Sequence, residues 1–171
     1  MDSQLPGAPA AEQVAAFSQK HRSGLVTLLF ADLVGSTELK QRAGDAPGLR
    51  LIDQHHAAVR ELLRQFIGAE EISTAGDSFF LVFAGPSDAV RFALRLQARL
   101  RQLAEETGLR LQDRVGIHAG EVFERENAEA VVVKDLGGLH VDLCARVMSL
   151  AHGGQVLMTR FVFDDGEGAA F

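Results

Sequence analysis

The sequence predicts an α+β domain: a mixed, largely antiparallel sheet with helices packed on one face. Three observations carry this. Short apolar runs of buried-strand length are interspersed with longer segments whose apolar residues recur at three- and four-residue steps. Their order is strand, helices, hairpin, helix, strand, helix, strand, which a largely antiparallel sheet accommodates. The 171 residues are 47% hydrophobic, enough to bury one core.

Residues 1–22 are rich in Ala, Gln and Pro without sustained periodicity and read as a flexible lead-in. A folded unit over 23–162 follows, and then an acidic, glycine-rich end over 163–171 that is expected to link to further domains of a longer protein. Residues 24–31 are too few to cross a membrane and too apolar for a surface loop, so they predict a buried strand that ends at Asp32. Gly35, Ser36 and Thr37 then offer flexible backbone and capping hydroxyls for a helix through 38–42. Ala46, Pro47 and Gly48 predict a break. After it, Ile52, His55, His56, Val59, Leu62, Leu63 and Phe66 mark an amphipathic helix ending near Gly68. Adjacent histidines point in different directions on a helix, so His55 and His56 read as core or surface residues rather than as a metal pair.

Residues 70–74 and 78–83 predict a hairpin turning through Ala75, Gly76 and Asp77. A long helix opens after Gly85 and ends at Gly108, with Val90, Ala93, Leu94, Gln97, Leu100 and Ala104 as its stripe. Residues 114–122 form the next strand, with glycines where a neighbouring backbone or helix approaches closely. A short strand over 130–133, a helix over 138–150 and a last strand over 155–159 complete the order.

The net charge is −6 with scattered Lys and Arg, which argues against non-specific binding to nucleic acid or anionic membranes. A single cysteine, Cys144, allows no internal disulfide. With no basic-then-apolar leader and no long apolar run, the segment is expected to be cytoplasmic, without direct membrane contact.

The stretch around Asp32 is the richest in chemistry. An Asp before a helix often serves only as a cap. A carboxylate at a strand end beside unbonded helix-start amides can also hold a divalent cation and a polyphosphate together. Asp77 at a turn tip is open to the same two readings.

Four motifs occur in order: Phe-x-Asp-x-x-Gly-Ser-Thr at 30–37, Gly76-Asp77, Val-Gly-Ile-His-Ala-Gly at 115–120, and Asp-Leu-Gly-Gly at 135–138 leading into Val-Asp-Leu-Cys-Ala-Arg at 141–146. Together they resemble the catalytic domain of class III nucleotidyl cyclases, the adenylate and guanylate cyclase family, over residues 24–160. The resemblance implies a ferredoxin-like sheet and conversion of ATP, favoured over GTP, to 3′,5′-cyclic AMP and pyrophosphate. It implies two Mg²⁺ or Mn²⁺ ions per site on Asp32 and Asp77, with the Leu33 carbonyl as a further donor. The backbone amides of Val34, Gly35, Ser36 and Thr37 would cradle phosphate. Arg146 matches the arginine that stabilises charge on the α-phosphate, and Asp135 the acceptor of the adenine amino group. Asp142 shares the Arg146 helix face, and the two can alternatively form an ordinary salt bridge. A head-to-tail homodimer follows, because metal ligands and base-reading groups come from different copies in this family.

The chain departs from the family pattern in three places. Asp142 stands where Asn is usual, and it offers no donor. Ser73 stands where Lys or Glu selects the purine. The sequence also ends before a later phosphate-contacting lysine. A degenerate homology module that binds nucleotide or dimerises without turnover is therefore the alternative. The Gly-Gly-Asp-Glu-Phe signature of diguanylate cyclases is absent.

Overall fold

The computed structural model describes residues 25–124 and 136–166. Strand β1 (Leu25–Leu33) is central, and alternation along it serves two cores. Leu29, Ala31 and Leu33 face one side, while Val26 and Leu28 face the other. β1 pairs antiparallel with β3 (Ser78–Phe83) and with β4 (Asp113–Glu121). β2 (Glu70–Ala75) lies outside β3, and β7 (Val156–Met158) runs parallel to β4, giving a five-stranded sheet in the order β2-β3-β1-β4-β7. β5 (Phe123–Glu124) and β6 (Leu136–Gly137) form a separate two-stranded ribbon. The mixed, largely antiparallel sheet is as the sequence predicts.

The helices are α1 (Ser36–Ala43), α2 (Asp45–Leu63), α3 (Pro86–Thr107), α4 (Leu139–Ser149) and α5 (Arg160–Gly166). Their layering differs from the expectation of one covered face. α2 and α3 bury Leu51, Val59, Leu63, Phe92, Leu96 and Leu100 against Leu29, Phe79, Leu81, Phe83, Val115 and Ile117. α4 instead packs on the opposite face, where Cys144 meets Val26, Leu28, Phe80 and Val82. Glycine makes this approach possible, because a Cβ on Gly116 would stand 2.2 Å from the backbone nitrogen of Met148 in α4.

Two boundaries move as well. The break expected at 46–48 falls at Gly44, whose φ of 84° suits glycine. Pro47 is instead absorbed into the first turn of α2, where its missing N–H costs no helical bond. α5 occupies the start of the acidic end, anchored by buried Val162 against the larger core. The strand expected at 130–133 lies outside the described residues.

Candidate active site

The site forms where β1 runs out between its two neighbours. Asp32 is opposite Ser78 on one side and Arg114 on the other, so the three side chains share one face. Val34 N–H donates to the Gln112 carbonyl at 2.9 Å, which makes Val34 and Gln112 a hydrogen-bonded pair. Such pairs alternate along an antiparallel ladder, so Leu33 turns its own carbonyl away from β4, toward the β3 side. The residue preceding β3 on that side is Asp77, in the Gly76-Asp77 turn.

Asp32 is closely partnered. Its Oδ2 accepts from Arg114 Nε at 2.9 Å and Nη2 at 2.6 Å, and its Oδ1 accepts a short hydrogen bond from Ser78 Oγ. The Asp32 side chain is 16% exposed. Asp32 and Arg114 border a cavity of about 380 Å³, walled by Leu33, Val34 and Gly35 and by residues 149–153, the last residue of α4 and the loop that follows it.

A buried layer supports this end of the sheet. Asp113, paired with Leu33, turns to the α2–α3 side, where His55 Nε2 donates to its oxygens at 2.9 and 3.0 Å. Gln97 Nε2 holds the Asp113 carbonyl at 2.7 Å. Burial raises the pKa of Asp113, the His55 hydrogen bond opposes that rise, and the charges of Asp32 and Asp77 add to it. Both acids named by the sequence therefore act on one buried carboxylate, and the structure brings them to the same end of the central strands. His56 Nε2 donates to the Gly76 carbonyl at 2.8 Å and meets Phe79 edge-on, steadying the turn that carries Asp77.

Of the sequence-predicted residues, Asp32, Leu33, Val34 and Gly35 line the cavity, whereas Asp77, in the β2–β3 turn, is not among the residues that border it. Ser36 and Thr37 open α1 but do not cap it: no side-chain cap bond forms, and Gly35 at φ 74° makes the entry turn. The Val34 amide is spent on Gln112, which leaves Gly35, Ser36 and Thr37 of the amides expected to cradle phosphate. Ser73 is exposed on β2, opposite Phe80. Asp142 and Arg146 are exposed on α4, and among the described residues they form no ion pair with each other. Asp135 lies outside the described residues.

Sequence reasoning missed Arg114 and Ser78. The available signal was a charged residue opening an otherwise apolar central strand, but its partner is 82 positions away.

The donors here are hard oxygens: two carboxylates and a strand-end carbonyl, a set suited to Mg²⁺ or Mn²⁺. Among the described residues no three His, Cys, Asp or Glu side chains are grouped to hold an ion. A cation would thus complete its shell with backbone oxygen, water or phosphate.

A family model described as the adenylate and guanylate cyclase catalytic domain matches residues 18–167. The chain is 30% identical over 182 residues to the receptor-type adenylate cyclase GRESAG 4.3 of Trypanosoma brucei brucei, covering 84% of this chain and 14% of that protein. It is 35% identical over 138 residues to an uncharacterized protein of Mycobacterium tuberculosis, covering 80% of this chain and 43% of that one. The chain thus spans less than half the length of either relative. Among solved structures, an adenylate cyclase from Trypanosoma brucei in its monomeric state superposes with a TM-score of 0.70 at 28% identity, over 85% of this chain and 80% of that one.

Proposed function

The chain belongs to the adenylate and guanylate cyclase catalytic domain family, and from that premise we propose that it converts ATP to 3′,5′-cyclic AMP and pyrophosphate. The observation that supports this reading is that Asp32, in the wall of a cavity beside the Arg114 guanidinium, and the turn carrying Asp77 lie at the same end of the paired strands β1 and β3. In the reaction the ribose 3′-oxygen forms a bond to the α-phosphorus, and the bond to the β-phosphate oxygen breaks to release pyrophosphate. Mg²⁺ or Mn²⁺ on Asp32 and Asp77 would supply charge neutralisation and a more acidic 3′-hydroxyl.

The chain's own groups divide the remaining work. The first-turn amides of α1 face the polyphosphate, where a helix start favours anions. Arg146 of a second copy, in a head-to-tail homodimer, steadies charge developing on the α-phosphate. Its exposure and lack of an ion pair with Asp142 support this use. By the family resemblance, Asp135 and Ser73 of that copy would read the base, with Asp135 as an acceptor favouring the adenine amino group.

The second reading is a homology module without turnover, which Asp142, Ser73 and the closely partnered Asp32 favour. Incubating the purified chain with Mn²⁺ and each of ATP, GTP, CTP and UTP, and resolving the products by chromatography, separates the two. Cyclic AMP is the expected main product, lost in Asp32→Asn. If no cyclic nucleotide forms while ATP still binds, the module reading stands.

A further inference from the structure

Ser73 reaches its place through an irregularity in β2. Glu71 is opposite Leu81 and Ser73 is opposite Phe80, so two consecutive residues of β3 face three of β2, and Ile72 is the extra one. Directly paired residues share a face of a sheet. Leu81 belongs to the larger core on the α2–α3 side and Phe80 to the smaller core under α4, so Glu71 lies on the first side and Ser73 on the second. Ile72 is buried in the smaller core as well. Strict alternation after Ile72 would return Ser73 to the α2 side. The bulge therefore sets Ser73 on the side of the sheet where α4 carries Asp142 and Arg146.

Side chains bridge this bulge. Thr74, opposite Phe79, is back on the α2 side, and its Oγ1 donates across the extra residue to Glu71 Oε1 at 2.5 Å. Arg60 of α2 grips the same carboxylate through Nε and Nη2, each at 2.8 Å, with its guanidinium 5.4 Å from the centre of the Phe79 ring. One turn earlier on α2, His56 donates to the Gly76 carbonyl at the hairpin tip. Helix and hairpin are thus joined at two points, and the joint at Glu71 is the one that flanks the bulge. The Arg60 side chain is 43% exposed and that of Glu71 27%, so the ion pair adds little to global stability. What it contributes is geometry: a planar fork and a hydroxyl fix one carboxylate, and with it the backbone on both sides of Ile72.

We propose that Arg60, Glu71 and Thr74 form a positioning clamp for Ser73. Without touching the nucleotide, they hold the bulge that presents the Ser73 hydroxyl to the purine, and so set how sharply adenine is told from guanine. This rests on the reading of Ser73 as a base-reading residue. A serine hydroxyl can donate or accept, so it discriminates by where its oxygen stands rather than by its chemical type.

The test measures affinity on the full chain and so holds with or without turnover. 3′-Deoxy-ATP and 3′-deoxy-GTP, which lack the attacking hydroxyl, are titrated by calorimetry in the presence of Mn²⁺, and the ratio of their dissociation constants is read for each variant. Glu71→Leu and Arg60→Met are each expected to bring that ratio about threefold or more closer to one, as Ser73→Ala does. In a Ser73→Ala background they are expected to change it no further, because groups that act through one residue are not additive. Urea midpoints establish that each variant is folded, and Thr74→Val repeats the measurement should the other two unfold. Equal effects with and without Ser73 overturn the clamp. So does a ratio near one in the unaltered chain, or clamp variants that leave the ratio intact while Ser73→Ala shifts it. If Ser73→Ala leaves the ratio unchanged, the base-reading role of Ser73 falls and the clamp with it, while the cyclase reading stands on its own test of product formation. If neither analogue binds the unaltered chain, the nucleotide site and the clamp fall together.

Discussion

At the scale of single residues, Asp32 is held from both neighbouring strands at once, its Oδ2 by Arg114 and its Oδ1 by Ser78. Asp32 at a strand end and Asp77 at a turn are visible as candidate ligands because position alone makes them so. That Arg114 covers Asp32 depends on the alignment of two strands distant in sequence, which composition and spacing do not encode. The same holds for His118, legible as a strand residue but not as the centre of a relay. Its Nδ1 lies 3.1 Å from Thr159 Oγ1 and its Nε2 lies 2.9 Å from His140 Nδ1. The relay is satisfied when the Thr159 hydroxyl donates to Nδ1 and the Nε2 proton is donated to His140. One added proton can be shared along it, but a second sets two N–H groups against each other. Burial lowers the His118 pKa, and the charge of His140 lowers it further. The unfolded chain, with an ordinary histidine near about 6.5, therefore takes up the proton more readily, and stability falls as the pH drops through that range. The urea midpoint is expected to be lower at about pH 5.5 than at about pH 7.5, with a smaller difference in His118→Gln. An equal drop in that variant would locate the acid sensitivity elsewhere.

At the scale of elements, the three- and four-residue periods placed α2, α3 and α4 well, because an apolar stripe is a local property. The glycines of β4 were legible as points of close approach; which element approaches was not. Gly116 admits the α4 backbone at Met148, and Gly120 admits the His140 ring, whose Cγ would lie 2.2 Å from an added Cβ. These contacts differ in what can yield. A helix backbone can relax only by moving the whole element, whereas an imidazole can swing aside at the expense of its bond to His118. Gly116→Ala is expected to lower unfolding stability by roughly 1–3 kcal/mol in urea denaturation, and Gly120→Ala by less. A larger loss at Gly120 would mean that the relay, and not the backbone contact, fixes α4. α5 escaped the sequence because it has a short anchor: Val162 is buried, while Phe161 and Phe163 on either side remain about half exposed.

At the scale of the whole molecule, the proposed site is divided. Asp32 opens on the cavity of its own copy, while Asp142 and Arg146 are exposed on α4 outside the lining of that cavity. If the copies assemble head to tail, two defective variants should repair each other. Asp32→Asn and Arg146→Ala, each inactive alone, are expected on mixing to recover about a quarter of the full cyclase rate, since half of the random dimers carry one intact site of two. No recovery, with mixed dimers demonstrated by a tag on one variant, would mean that each site is built within one copy. The sheet that positions these groups has a further consequence. β2 is its outermost strand on one flank, an invitation to edge-to-edge growth into aggregates. Its pairing register slips between Glu71 and Ser73, and the Glu71 carboxylate is pinned by Arg60 through two contacts of 2.8 Å. A bulged, charge-bearing margin of this kind is a poor template for another strand, so the exposed rim discourages fibrous stacking.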